Sequence, residues 1–156
     1  IEGLFDYVII DGAAGLGKEA ISALDASDKA LIITNPEMAA VTDALKTVQV
    51  VRKMRKQILG VVLTRFNNDG MDMRVKEIEN LLEYPIIGII PEDKNVRKAN
   101  FKGKPLLMKY PESEASLAYK ELAAKILGKN INDYMTPPTK KKDNLIQDLL
   151  RVFNFK

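Results

Sequence analysis

The chain has 156 residues, of which 46% are hydrophobic and 29% charged, a balance typical of one globular domain. It contains no cysteine and no histidine, which excludes disulfides, thiolate-bound metals and iron–sulfur clusters held by the chain, and leaves oxygen as the ligand for any metal. The net charge of +3 comes from the last residues, because 18 Lys and Arg balance 18 Asp and Glu over residues 1–128. Bulk charge therefore gives no reason to expect nucleic acid as a partner.

Four short runs rich in Ile and Val, at 5–11, 29–35, 58–65 and 84–91, predict strands. Because they are apolar throughout rather than alternating, they indicate a parallel sheet covered on both faces. Helices are predicted over 36–56, with Asn35 as the N-cap and Pro36 first, over 72–83, and over 114–127, where Gly128 ends the helix. This order predicts a doubly wound, mainly parallel α/β sheet.

The predicted sheet has few strands for its class, and the chain begins almost inside the first of them. We therefore expect an amino-terminal part to be missing, with a small complete four-stranded sheet as the alternative. No run approaches the roughly 20 apolar residues of a membrane span, and no basic segment opens the chain as in a signal peptide. The absence of cysteine fits a reducing cytoplasm.

The stretch IIDGAAGLGKEA, residues 9–20, matches the phosphate-loop spacing G-x-x-x-x-G-K at Gly12, Gly17 and Lys18. Glu19, however, stands where a phosphate loop has the Ser or Thr that binds Mg²⁺, and Asp11 adds a second negative charge that would repel phosphate. We therefore reject that interpretation. An Asp that ends an apolar parallel strand is instead typical of a Walker B carboxylate, which holds Mg²⁺, often through water. A simple turn or helix cap is the alternative.

Four segments in series resemble the MinD/ParA family of deviant Walker P-loop ATPases: FDYVIIDGAAGLGKEA, DKALIITNPEMAAVTDALK, GVVLTRFN and IIGIIPEDKNVRKANFKGKPL. The resemblance covers residues 5–127 and implies a partial P-loop NTPase fold, residues 1–128, that lacks the Walker A portion. The usual family loop reads D-S-P-A-G, so Gly12 and Ala13 depart from it while Asp11 and Gly15 stay in register. The chain alone is expected neither to hold the triphosphate properly nor to hydrolyse it, and no catalytic residue is assigned within it.

The resemblance implies a site for ATP and Mg²⁺. Asp11 would position Mg²⁺ through water, and Gly15 would lie in the switch loop that senses the γ-phosphate. Five residues would border the adenine: Thr64, Arg65, Pro91, Glu92 and Asp93. Without the family, the Pro-Glu-Asp run is better interpreted as a strand end followed by an acidic helix start, which needs no ligand.

The last 28 residues differ in pattern from the rest of the chain. Residues 129–143, with a Pro pair and a run of three consecutive lysines, predict a flexible linker, and 144–156 predict an amphipathic helix. The expected lipid-binding residues are Leu145, Ile146, Leu149, Leu150, Val152 and Phe153, with Lys140, Lys141 and Lys142 close to anionic headgroups. MinD-type members of the family also end in a membrane-targeting helix, so the resemblance implies the same role here. A helix docked on its own domain is the alternative.

These features together predict a cytoplasmic protein that binds peripherally to the inner face of the cell membrane. The resemblance implies that ATP closes a homodimer whose paired tails attach reversibly to anionic lipid and position cell-division or other polar machinery, with division-site regulators as further partners. Two alternatives stay open. One is a partition ATPase of the ParA type bound to DNA, and the other is a non-enzymatic membrane-tethered adaptor that uses helix 36–56 as its partner surface.

Overall fold

The computed structural model describes residues 3–67 and 69–129. Short strands alternate with helices along most of this range, as the apolar runs predict. In chain order the elements are α1 Lys18–Ala26, β1 Lys29–Thr34, α2 Met38–Lys53, β2 Gln57–Phe66, α3 Val75–Leu82, β3 Ile86–Pro91, α4 Lys94–Phe101, α5 Leu106–Lys109 and α6 Glu114–Ile126.

The three strands form a parallel sheet in the order β1-β2-β3, so β2 is central. Val61, Val62 and Leu63 of β2 are at most 1% exposed, which requires cover on both faces of the sheet. Because all three strands run the same way, their carboxyl ends meet at one edge, with Thr34 opposite Leu63 and Phe66 opposite Pro91. Ligands of open α/β sheets bind at this edge.

Helices cover both faces of the sheet, which confirms the doubly wound α/β class. On one face, α2 and α3 contribute Val41, Val48, Ile78 and Leu82 to a cluster with Val61 and Leu63. On the other face, Ala115 and Leu122 of α6 pack with Val62 and Ile90. The near-continuous apolar strands follow from this arrangement, since residues on both faces of β2 are withdrawn from water.

The strand predicted over 5–11 is wrong for the described structure, in which residues 5–11 belong to no strand or helix. Phe5 is 56% exposed and Ile9 58% exposed, so this apolar run neither pairs with a neighbour nor enters a core. A strand requires a partner to satisfy its backbone N–H and C=O groups, and apolar composition alone does not supply one. The sheet of the described residues therefore has three strands rather than the four expected.

Two predicted helices begin later than expected. The helix predicted over 36–56 starts at Met38, with Glu37 in an extended conformation as its N-cap, so Asn35 and Pro36 are not its first residues. The helix predicted over 72–83 starts at Val75. The helix predicted over 114–127 is confirmed to within one residue, and Ser113 caps it by accepting a hydrogen bond from the Ser116 N–H.

The carboxyl-terminal predictions lie outside the described residues, apart from Lys129. These are the linker over 129–143 and the amphipathic helix over 144–156. Among the helices of residues 3–67 and 69–129, none combines the length and apolar character that a membrane crossing requires.

Candidate functional site

The carboxyl ends of β1 and β2 are joined by a side-chain hydrogen bond. The Thr64 hydroxyl donates to Asn35 Oδ1 over 2.8 Å and also lies 3.4 Å from the Thr34 carbonyl oxygen. The sequence pattern predicts Asn35 as a helix cap and does not predict this bond to Thr64. The available signal was its position at the end of a strand next to the strand that carries Thr64.

A β-bulge interrupts the pairing of β2 with β3 at Arg65. Leu63 is opposite Ile89 and Phe66 is opposite Pro91, so three steps along β2 match two along β3. Arg65 has a φ of 59°, in the left-handed region that non-glycine residues seldom adopt. Such bulges occur beside functional sites, where they change the direction of a side chain. Here the bulge lies at the carboxyl edge of the sheet, where ligands of open α/β sheets bind.

Arg65 makes an ion pair with Glu92, just past the end of β3. Its Nε donates to Glu92 Oε2 over 2.9 Å, and this bond raises the pKa of the Arg65 guanidinium. The Glu92 backbone N–H also donates to the Phe66 carbonyl over 3.1 Å. Main-chain and side-chain contacts thus hold the ends of β2 and β3 together, and both charged side chains remain accessible to solvent.

Asp93 is the N-cap of α4, as the ligand-free interpretation of the Pro-Glu-Asp run predicts. Its carboxylate accepts hydrogen bonds from the backbone N–H of Asn95, over 2.7 Å, and of Ala115, over 3.4 Å. Burial acts to raise the pKa of Asp93, but hydrogen bonds from Asn95, Ser113 and Ala115 outweigh it, so the pKa lies below its ordinary value. Asp93 therefore holds the amino-terminal end of α4 against the amino-terminal end of α6.

Asp11 and Gly15 lie in the exposed segment before α1. Gly15 has a φ of +81°, and no atom lies within 4 Å of the place where a Cβ would be. Within the described residues, no hydrogen bond or ion pair joins Asp11 or Gly15 to the five residues at the strand ends. The structure thus brings Thr64, Arg65, Pro91, Glu92 and Asp93 to one edge, while neither Asp11 nor Gly15 makes a hydrogen bond or ion pair with them.

The residues present fit Mg²⁺ and a nucleotide in part. Across residues 3–67 and 69–129, no group of three or more acidic side chains could hold a metal by itself. Mg²⁺ needs fewer, because it keeps several waters and takes phosphate oxygens beside one or two carboxylates. Asp11 suits that mode. Lys18 begins α1, but Glu19 Oε2 lies 3.6 Å from the place of a Cβ on Gly17, so a carboxylate covers the start of this helix.

Residues 3–127 match the ParA family model, described as NUBPL iron-transfer P-loop NTPase. The chain belongs to the MinD/ParA family of P-loop NTPases. It is 38% identical over 151 residues to an uncharacterised ATP-binding protein of Methanocaldococcus jannaschii, with 97% of this chain and 56% of the relative covered.

Solved structures of family members named MinD show the same fold. The septum site-determining protein MinD of Pyrococcus horikoshii, complexed with Mg-ADP, superposes with a TM-score of 0.75 at 32% identity, over 80% of this chain and 51% of that one. A MinC:MinD cell division complex of Aquifex aeolicus gives 0.76 at 29% identity, over 88% and 56%. This chain thus spans about half the length of the relatives that it matches.

Proposed function

We propose that this chain forms the adenine-side and membrane-binding part of a MinD-type ATPase. The observation that carries the proposal is the cluster at the carboxyl edge of the sheet, in a chain whose residues 3–127 match the ParA family. One of its structural relatives, MinD of P. horikoshii, was solved with Mg-ADP. The iron transfer in the description of the family model is not proposed here, since the chain has no cysteine to hold iron through thiolate.

The strand-end residues would form the wall of an adenine pocket. The Thr64–Asn35 hydrogen bond and the Arg65–Glu92 ion pair join the three strand ends without a ligand, so the proposed wall would be in place before the base binds. A preformed wall does not have to be ordered when the base binds, which favours affinity. Pro91 closes the end of β3 with an apolar ring, and Asp93 orients α4 at the rim.

Asp11 and Gly15 would act at the phosphate side. Asp11 would orient Mg²⁺ through water, and Mg²⁺ would neutralise negative charge on the phosphates. Gly15 would leave room for its backbone to approach the γ-phosphate closely, since it has no side chain and no atom from beyond its chain neighbours lies within 4 Å of the place of a Cβ. The Walker A lysine loop is expected in the half of the relatives that this chain does not match, so the chain by itself should bind nucleotide weakly and hydrolyse none.

Nucleotide binding tests this assignment. A fluorescent ATP analogue with Mg²⁺ is titrated into the chain alone and into a fusion that places the unmatched part of the M. jannaschii relative before residue 1. We expect binding by the fusion only, with weaker Mg²⁺ dependence in the Asp11→Asn variant and unchanged binding in the control Glu121→Gln, on an exposed position of α6. Tight binding by the chain alone, lost in Lys18→Ala, would contradict the proposal and make GAAGLGKE a phosphate loop.

We further propose that ATP closes a homodimer whose carboxyl-terminal helices attach it reversibly to anionic membrane. Two weak helices in one dimer bind far more tightly than one, because the second binds at a high effective concentration. A division-site regulator is a candidate partner, as MinC is in the MinD complex of A. aeolicus. Sedimentation of the fusion with anionic liposomes should require ATP and the apolar residues Leu145, Leu149 and Phe153, and equal sedimentation without nucleotide would contradict the switch.

A further inference from the structure

One face of α4 carries four cations and an exposed aromatic ring. Lys94, Arg97, Lys98, Phe101 and Lys102 recur at three- and four-residue spacing, which places them side by side along the helix, and together they line a shallow groove. We name these five residues the α4 basic face. Phe101 is 93% exposed, although a large apolar side chain in a core helix is ordinarily withdrawn from water.

The orientation of this face is fixed by the opposite side of the same helix. Ala99 is fully buried, and Val96 packs against the cluster that contains Val62 and Leu122. Because Val96 and Ala99 face the sheet, the α4 basic face points away from the protein. Its exposure is thus a consequence of how α4 packs and not of a frayed helix end.

The four cations have no acidic partner among the residues that the structure describes. No ion pair involves Lys94, Arg97, Lys98 or Lys102. The two acids that precede the helix are engaged elsewhere: Glu92 pairs with Arg65, and Asp93 accepts backbone hydrogen bonds. The face therefore presents four positive charges without an acidic partner among the described residues, side by side along about two turns of helix, which suits an anionic occupant.

We propose that the α4 basic face is a second membrane contact, in which Phe101 enters the headgroup region while the surrounding cations bind anionic lipid. This inference rests on the proposed membrane attachment of the protein. It concerns residues that lie outside the carboxyl-terminal helix. An apolar ring encircled by basic side chains is the pattern of interfacial binding. Three of the four cations are Lys, whereas base recognition in nucleic acids relies on the bidentate geometry of Arg, Asn and Gln.

This contact would give the domain a fixed orientation on the membrane. A tail tethered by a flexible linker anchors a protein without orienting it, since the linker allows many positions. A helix packed on the sheet transmits its orientation to the whole domain, including the nucleotide edge, because α4 begins at Asp93. Because the screening length is about 8 Å at physiological ionic strength, the attraction acts only when the face is close to the lipid.

Vesicle co-sedimentation of the whole chain tests the proposal, with mixed phosphatidylglycerol–phosphatidylcholine vesicles and pure phosphatidylcholine as reference. Lys98→Gln/Lys102→Gln should weaken binding to the anionic vesicles roughly fivefold per lysine, hence roughly 25-fold, and added salt should reduce the difference. The matched control Lys53→Gln/Lys76→Gln removes the same charge from α2 and α3, on the other face of the sheet, and should change binding less than twofold or so.

The aromatic ring is tested separately. Phe101→Ser should weaken binding roughly tenfold, the effect of losing about half the burial of a Phe side chain. Met71→Ser, at a position that is 86% exposed, is its control. Far-UV circular dichroism on every variant should show unchanged unfolding, because all the substituted side chains are exposed.

The results distinguish a second membrane contact at α4 from membrane binding by the carboxyl-terminal helix alone, from DNA binding and from self-association. Unchanged vesicle affinity in either α4 variant overturns the second contact, even where Leu149→Ser still weakens binding and so supports the tail. Stronger binding of the α4 face to double-stranded DNA than to vesicles also overturns it, and assigns the face to nucleic acid. Loss of self-association in the α4 variants, measured by sedimentation velocity, would assign the face to a second copy of the chain.

Discussion

Gly60 is the position at which a single added methyl group should cost most. It lies in β2 opposite Leu31, just after Leu59, an extra residue that bulges the pairing with β1, and its φ is +147°. A Cβ at Gly60 would lie 2.5 Å from Ile87 Cγ2 and 3.1 Å from the Pro85 carbonyl oxygen. That carbonyl cannot move freely, because it accepts a hydrogen bond of 2.9 Å from the Val61 N–H.

The expected destabilisation of Gly60→Ala follows from three contributions. The unfavourable φ costs about 1–3 kcal/mol and overpacking about 1–3 kcal/mol, while the stiffer unfolded chain returns about 0.4–1 kcal/mol. The net loss is about 1–6 kcal/mol, centred on about 3 kcal/mol, a large part of the 5–15 kcal/mol that stabilises a domain of ordinary stability. Urea unfolding followed by circular dichroism measures it as a lower midpoint at an unchanged slope.

Gly103→Ala separates the two unfavourable contributions. Gly103 also has a positive φ, +56°, but no atom lies within 4 Å of its added Cβ, so its variant carries backbone strain without overlap. The pair Gly60→Ala/Ile87→Ala should lose less stability than the sum of its single variants, since removing the Ile87 side chain relieves the contact. The argument would be refuted if the free energy of unfolding of Gly60→Ala lay within about 0.5 kcal/mol of the parent value, or if it equalled that of Gly103→Ala.

Three further substitutions test hydrogen bonds near the sheet edge. Since the folded pKa of Asp93 is depressed, its contribution to stability is present above the ordinary carboxyl pKa of about 3.9 and is lost as the pH falls through the folded value. In Asp93→Asn, the free energy of unfolding should therefore fall less steeply as the pH is lowered through the acid range. An equally steep fall would contradict the depressed pKa of Asp93. Thr64→Val removes the bond to Asn35 and should cost about 1 kcal/mol in urea unfolding, with no loss indicating that water replaces the bond. Ser116→Ala should cost about 1 kcal/mol, because it removes the bond of 2.7 Å from the fully buried hydroxyl to the Tyr110 carbonyl, which keeps its bond from the Ser113 N–H, and a neutral result would mean that this second bond suffices.

The fold class could be predicted because it depends on patterns that are local in sequence. The continuous apolar runs of β1, β2 and β3 and the three- and four-residue spacing of Val41, Ala44 and Val48 specify buried strands and a helix with one buried face. The run over 5–11 has the same composition as those strands, yet it is unpaired in the described structure. A strand forms only where the edge of another strand is free to pair with it, and the local sequence does not show whether such an edge exists.

The candidate site could be predicted as a set of positions but not as a set of contacts. Strand-ending residues necessarily meet at one edge of a parallel sheet, so the grouping of Thr64, Arg65 and Glu92 follows from topology. The bulge at Arg65 does not, because it depends on the register between β2 and β3. Asn35 shows the same limit: its residue type favours both a helix cap and a cross-strand partner, and only the spatial position of Thr64 decides between them.

The α4 basic face shows why the charge balance of a sequence says little about its surface. Over residues 1–128 the positive and negative charges cancel, and the sequence argument against a nucleic-acid partner rested on that sum. The field at a surface, however, is set by charges within about one screening length, 8–10 Å. Folding turns four cations of α4 outward together. The nearby acids take other partners, since Glu92 pairs with Arg65 and Asp93 accepts backbone hydrogen bonds. A chain with a balanced sum can thus present a strongly positive face, and the packing of α4, together with the partners taken by the nearby acids, decides where that face lies.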